Sequence, residues 1–194
     1  MVAELVPLVQ SALALDPNDP EVLAIAGDIT ARIGDLSGGM ALLDRSLELN
    51  PNNAFALGVA AGLRAYSGDT ATAISLLDRC ARHNPLDWHY RVCSGYMVTY
   101  FVAGEYERVV EWSAKTLQAL PHSTLALRYR AASLGQLGRL EAGREVVQHL
   151  LAVFPNFTIT RYRRHLEFYL TNVFGTPDVA DALCEGLRQC GAPE

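Results

Sequence analysis

Proline recurs through this chain on a fixed beat. Pro17, Pro51 and Pro85 stand 34 residues apart, Pro121 follows after 36, and Pro155 after another 34. A period of this length belongs to supersecondary units stacked side by side, each burying its apolar face on its neighbours. The residue before a proline is pushed out of helical geometry, so each beat marks a chain reversal. A second mark falls midway between the prolines, at Gly34-Asp35, Gly68-Asp69, Gly104-Glu105 and Gly138-Arg139. Glycine there supplies the left-handed residue that ends a helix. An acid after it, present in three of the four cases, suits the positive end of the next helix.

The units are therefore expected at Pro20–Asn53, Ala54–Asp87, Trp88–Ser123 and Thr124–Phe157, the third two residues longer than the rest. Each reads as helix, tight turn, helix, turn. Apolar residues keep helical spacing between the marks: Ile25, Ile29 and Ile33, then Leu42, Leu43, Leu47 and Leu49. Small residues recur early in the first helices at Gly27, Ala61, Gly95 and Ala131, and early in the second helices at Gly39, Ala73 and Gly143. A glycine inside a helix costs about 0.8–1 kcal/mol against alanine, so these glycines imply close helix–helix approach. The surplus of unit three lies before Gly104, as a longer first helix or a bulged turn. Residues 1–19 read as the second helix of a half-repeat starting near Pro7, where proline suits a first turn. Residues 158–194 read as capping helices. Thr176-Pro177-Asp178 starts the last of them, which is expected over Val179–Cys190, and Gly191-Ala192-Pro193 stops it.

This pattern resembles the tetratricopeptide repeat (TPR) family over residues 20–157. The length, the small residues, the Gly-Asp turn and Asn50-Pro51-Asn52 agree with it. The family's usual aromatic near the start of the first helix is replaced by Leu23, Leu57, Arg91 and Leu127. The resemblance implies an all-α, right-handed superhelical solenoid of antiparallel helix pairs. From about residue 85 onward, the segments Phe101–Trp112, Leu150–Ile159, Arg161–Arg164 and Gly186–Glu194 are also similar to the C-terminal TPR region of bacterial multidomain signalling proteins. In those, an adenylate/guanylate cyclase or winged-helix domain comes first. That family's nucleotide chemistry belongs to the upstream domain, so no residue here inherits a catalytic role.

In a TPR stack the first helix of each unit lines a concave groove. Counting along these helices from the unit starts places Glu21, Ala24, Asp28 and Arg32 there in unit one. Unit two contributes Phe55, Gly58, Gly62 and Tyr66; unit three, His89, Val92, Tyr96 and Tyr100; unit four, Leu125, Arg128 and Ala132. The expected peptide-binding residues are Phe55, Tyr66, His89, Tyr96, Tyr100 and Arg128, because tyrosine and arginine are common interface anchors. The opposing reading is that Tyr66 and Tyr100 only pack on the next helix. The lysines and asparagines with which some TPR proteins grip a peptide carboxylate are not evident.

Other chemistry is sparse. No GxSxG, GxxxxGK[ST], GxGxxG or HExxH motif occurs, and neither an enzyme nor a cofactor is expected. Cys80-x2-His83 and His89-x3-Cys93 have the residue types of a zinc site. Cys80 nevertheless falls where a repeat needs a small buried residue, and no metal is expected. Arg161, Arg163, Arg164 and His165 with Tyr162 form a short basic run. The net charge of −5 argues against nucleic acid, and a capping helix face is the better reading. None of the four cysteines forms a CxxC pair, and reduced thiols are the default. No signal peptide opens the chain, and no apolar run reaches the roughly 18 residues of a membrane span. The expectation is a cytoplasmic, non-catalytic scaffold binding a protein or peptide, with a small-molecule sensor or a homodimerisation module as alternatives.

Overall fold

The computed structural model describes residues 2–83, 92–166 and 177–194. All secondary structure among them is helical: α1 Val2–Leu15, α2 Pro20–Arg32, α3 Leu36–Leu49, α4 Ala54–Tyr66, α5 Thr70–His83, α6 Cys93–Val102, α7 Tyr106–Ala119, α8 Thr124–Gln136, α9 Leu140–Val153, α10 Ile159–Leu166 and α11 Pro177–Gln189. None of these helices is long and apolar enough to cross a membrane. Pro85, His89 and Arg91 lie outside the described residues.

The turns follow from local chemistry. Gly34, Gly68, Gly104, Gly138 and Gly191 all have positive φ. The residue after each donates its N–H five residues back, as Asp35 does to Thr30 O at 3.1 Å and Arg139 to Leu134 O at 2.9 Å. This is the Schellman closure of a helix end. Asp35 and Asp69 then cap the next helix, accepting from the N–H groups of Gly38 at 2.8 Å and Thr72 at 3.2 Å. Glu105 and Arg139 make no such bond. On the proline side, Asp19, Asn53 and Ser123 cap α2, α4 and α8. Each stands two residues after a proline of the beat.

Antiparallel pairs form between α2 and α3, α4 and α5, α6 and α7, and α8 and α9, and each pair packs on the next. The first helices α2, α4, α6 and α8 touch in succession, which makes the stack a solenoid. Within the first pair the backbones almost meet. A Cβ on Gly39 would lie 2.6 Å from Gly27 O and 2.7 Å from Ala31 N. Ser46 on α3 donates to Pro20 O on α2 at 2.6 Å within the first pair, and between pairs Asn53, the cap of α4, donates to Glu21 Oε1 on α2 at 2.9 Å. At the far end, α11 lies against α8 through Gly135 and Gly186. Leu183, Cys184 and Leu187 are fully buried there.

Two local expectations change. The first helix begins at Val2 rather than at Pro7, which sits inside α1. Proline in the second turn cannot bond the carbonyl of residue 3 and its ring crowds that carbonyl, so the turn ahead of Pro7 is the weak part of α1. In unit three, Met97 rather than Gly95 holds the position of Gly27, Ala61 and Ala131, because all four stand seven residues before their turn glycines. Val92 stands in a wide π-type turn just ahead of α6. The sulphur-containing, unbranched Met97 side chain fits this tight position fully buried.

Candidate functional site

Helices α2, α4, α8 and α10 line an open cleft of about 510 Å³. α2 contributes Asp28 and Arg32; α4, Gly58, Val59, Gly62, Leu63 and Tyr66; α8, Leu125, Arg128 and Tyr129; α10, Tyr162, His165 and Leu166. The spacings of three and four residues on each helix place these side chains on one face. Helix α10 can form this wall because it is held from behind. The Ile159 N–H donates to Pro193 O at 2.8 Å, Arg163 pairs with Asp181 on α11, and Tyr162 is 5% exposed.

The floor is apolar with a few aimed polar groups. A Cβ on Gly62 would meet no atom within 4 Å, so the backbone of α4 is bare at the centre of the cleft. The Tyr66 and Tyr129 hydroxyls lie 3.4 Å apart. Arg32 is neutralised by Asp28 at 2.7 Å. Arg128 sits over the Tyr162 ring, its guanidinium carbon 4.6 Å from the ring centroid, and its Nε donates to Thr124 O at 2.9 Å. Among the described residues it has no carboxylate partner.

Burial pushes the Tyr66, Tyr129 and Tyr162 hydroxyls above the ordinary value of 10.0. In the unfolded chain these phenols ionise first as pH rises, and in the folded chain later. The stability they contribute is therefore complete below pH 10 and is lost as pH climbs toward their folded values. In an alkaline titration followed by phenolate absorbance, these three of the eight tyrosines, together with Tyr96, whose hydroxyl burial and Asp78 push up likewise, should stay silent until helical circular dichroism collapses. Smooth ionisation of all eight with helicity intact would contradict their burial.

Of the residues expected in the groove, Tyr66 and Arg128 line the cleft, as do Asp28, Arg32, Gly58, Gly62 and Leu125. Phe55 is half-buried and packs against the smaller core around Ala24 and Leu43. His89 lies outside the described residues. Tyr96 and Tyr100 are 4% and 5% exposed and belong to the main core. The Tyr96 ring stacks on Trp112 at 4.2 Å and on Tyr100 at 5.9 Å, and its hydroxyl donates to Asp78. The Tyr100 hydroxyl accepts from Arg108 at 2.8 Å. The cause is register. Two extra residues rotate a helix by about 200°, so counting from the start of unit three selects the wrong face. Counted back from the turn glycines, Tyr96 matches Ala26 and Ala60, both buried, whereas the match to Asp28 and Gly62 is Val98.

Counting by repeats also missed Tyr129, Tyr162, His165 and Leu166. The last three stand at i, i+3 and i+4 beside the basic run, a pattern visible in the sequence but read there as a cap. Of the candidate metal set, His89 lies outside the described residues; among the described residues no three His, Cys, Asp or Glu side chains gather as metal ligands. Cys80 is fully buried and its thiol points to Ala54 O at 3.7 Å.

No known family model matches the chain, and no curated protein matches its sequence. Solved structures do. A tetratricopeptide repeat protein from Parabacteroides merdae ATCC 43184 superposes with a TM-score of 0.71 at 14% identity, over 97% of this chain and 77% of that one. PilW, a widely conserved type IV pilus biogenesis factor, gives 0.76 at 12% identity over 94% and 82%. YrrB, a TPR protein with an unusual peptide-binding site, gives 0.57 at 12% identity over 94% and 90%. The chain has the all-α, TPR-like solenoid fold.

Proposed function

We propose that this chain is a non-catalytic interaction module that holds a protein or peptide segment in the cleft between α2, α4, α8 and α10. The observation that carries this reading is the cleft itself. At about 510 Å³ it falls within the range of binding pockets, roughly 300–1,000 Å³. Its apolar floor, bare backbone at Gly62 and unneutralised Arg128 suit a peptide better than a reaction. That YrrB, of the same fold, is described as having a peptide-binding site supports the reading. We take the units 20–53, 54–87, 88–123 and 124–157, with caps 1–19 and 158–194, as the organisation behind the cleft; stacked helices preform its walls, so binding need not order them first. Of the residues expected to bind, Tyr66 and Arg128 remain in the proposed site.

The wider role we propose is that of a regulatory segment in a cytoplasmic bacterial signalling protein. It rests on the resemblance of the second half and on four cysteines that are all buried free thiols.

Gly62→Leu tests the cleft. The new side chain meets open space, so the helix should be as stable as before or gain up to about 1 kcal/mol. Peptides selected on the wild-type protein from a displayed random library should bind this variant at least about tenfold more weakly. Equal binding to both would move the site off the cleft. Failure to select any peptide, with an unrelated small molecule raising the melting temperature, would favour the sensor instead.

A further inference from the structure

A second chamber of about 280 Å³ adjoins the cleft, sharing Arg128, Tyr162 and His165 with it. Its walls are aromatic. Phe154 and Phe157 have ring centroids 6.2 Å apart, and Phe157 and Tyr162 lie 5.7 Å apart. Phe154 is 44% exposed, an unusual state for a phenylalanine beside a cavity. Asn156 and Arg161 stand at the rim, with Arg161 donating to Asn156 O at 3.3 Å. The chamber is below the range of whole-ligand pockets and of a size to take one large side chain.

Arg128 is the cation between the two spaces. Arg32, Arg45, Arg64, Arg139, Arg144, Arg163 and Arg188 all meet carboxylates. Arg128 meets none among the described residues, although it is half-buried. Its Nε is occupied by Thr124 O, and its guanidinium carbon rests 4.6 Å from the Tyr162 ring centroid, so two contacts restrain the group. The outer edge of the guanidinium is a ready fork for a carboxylate. The single acid lining either space, Asp28, is engaged by Arg32.

We propose that this junction reads the end of a peptide. Arg128 takes the terminal carboxylate, the last side chain, large and apolar, fills the aromatic chamber, and the preceding residues run along the cleft over Gly62. A terminal residue fits because carboxylate and side chain leave the same Cα, as the one arginine shared by two spaces requires. An internal acid would place its charge on one residue and need another to supply the ring. This inference rests on the peptide reading of the cleft.

The probes are N-acetyl-L-phenylalanine, its amide, and short peptides ending in phenylalanine as free acid or amide, titrated by NMR into the full chain. The acid should perturb α8 and α10, and the amide should bind about tenfold more weakly, the value of one charge-assisted contact. Arg128→Gln should abolish that difference while circular dichroism stays unchanged, and Phe154→Ala should weaken acid and amide alike. Lengthening the free-acid probe into a peptide should raise its affinity. Equal binding of acid and amide, wild-type binding by Arg128→Gln, or silence of both probes at about 10 mM would overturn the junction. Library-selected peptides that bind in the cleft but ignore C-terminal amidation would sink this inference and leave the cleft reading standing. Acetylphenylalanine binding that longer peptides do not improve would sink the peptide reading and leave a pocket for a free aromatic acid.

Discussion

Leucine in place of Gly135 is expected to destabilise the fold by about 3 kcal/mol, lowering the melting temperature by roughly 6–12 °C. A Cβ on residue 135 would lie 2.7 Å from the Cα and 2.8 Å from the carbonyl carbon of Gly186. A Cβ on residue 186 would meet the Ala132 backbone at 2.8 and 2.9 Å. Both obstacles are main chain inside helices, so no rotamer change relieves them. α11 must instead lift away from α8 and uncover Leu183, Cys184 and Leu187, all fully buried. Buried leucines are worth about 1.5–3 kcal/mol each, so partial lifting suffices for the expected loss. Hydrogen exchange should accelerate first in α11, then in α8. An unchanged melting temperature would mean that the two helices do not touch backbone to backbone.

Truncating Tyr96 to alanine should cost about 3–5 kcal/mol, the usual range for a buried aromatic. The ring lies between Trp112 and Tyr100 in the centre of unit three, and removing it leaves a void that two helices cannot close. Phenylalanine at the same position keeps the stack and loses only the hydroxyl bond to Asp78, which is an exposed acid; about 1 kcal/mol is expected. Chemical denaturation of both variants measures the contrast. Peptide binding by the folded fraction of either should match the wild type, since the ring faces the core. A Tyr96→Ala protein of full stability and impaired binding would return this residue to the groove.

The helix pairs were legible because their punctuation is chemical. Proline cannot continue a helix and glycine alone adopts the left-handed turn easily, so Pro51 and Gly68 announce themselves without knowledge of any contact. The caps Asp19, Asn53 and Ser123 were not read from the sequence, although each sits two residues after a proline. The site was less legible. Tyr66 and Arg128 were reached by counting along units of regular length, and the same count failed at Tyr96 and Tyr100. Side-chain direction depends on rotation, which a two-residue surplus changes completely, whereas helix existence does not. Tyr162 and His165 were invisible to counting for another reason: α10 follows the last regular unit, and its place in the cleft depends on packing against α11.

The bond from Ile159 to Pro193, together with the pairing of Arg163 and Asp181, fastens one wall of the cleft to α11 and the residues that follow it. As the nascent chain leaves the ribosome, its hairpins can stack in order from the N-terminal side. The clasp cannot shut until residues 177–194 have emerged. Hairpins that stack earlier must therefore wait for this segment before the wall formed by α10 is fastened.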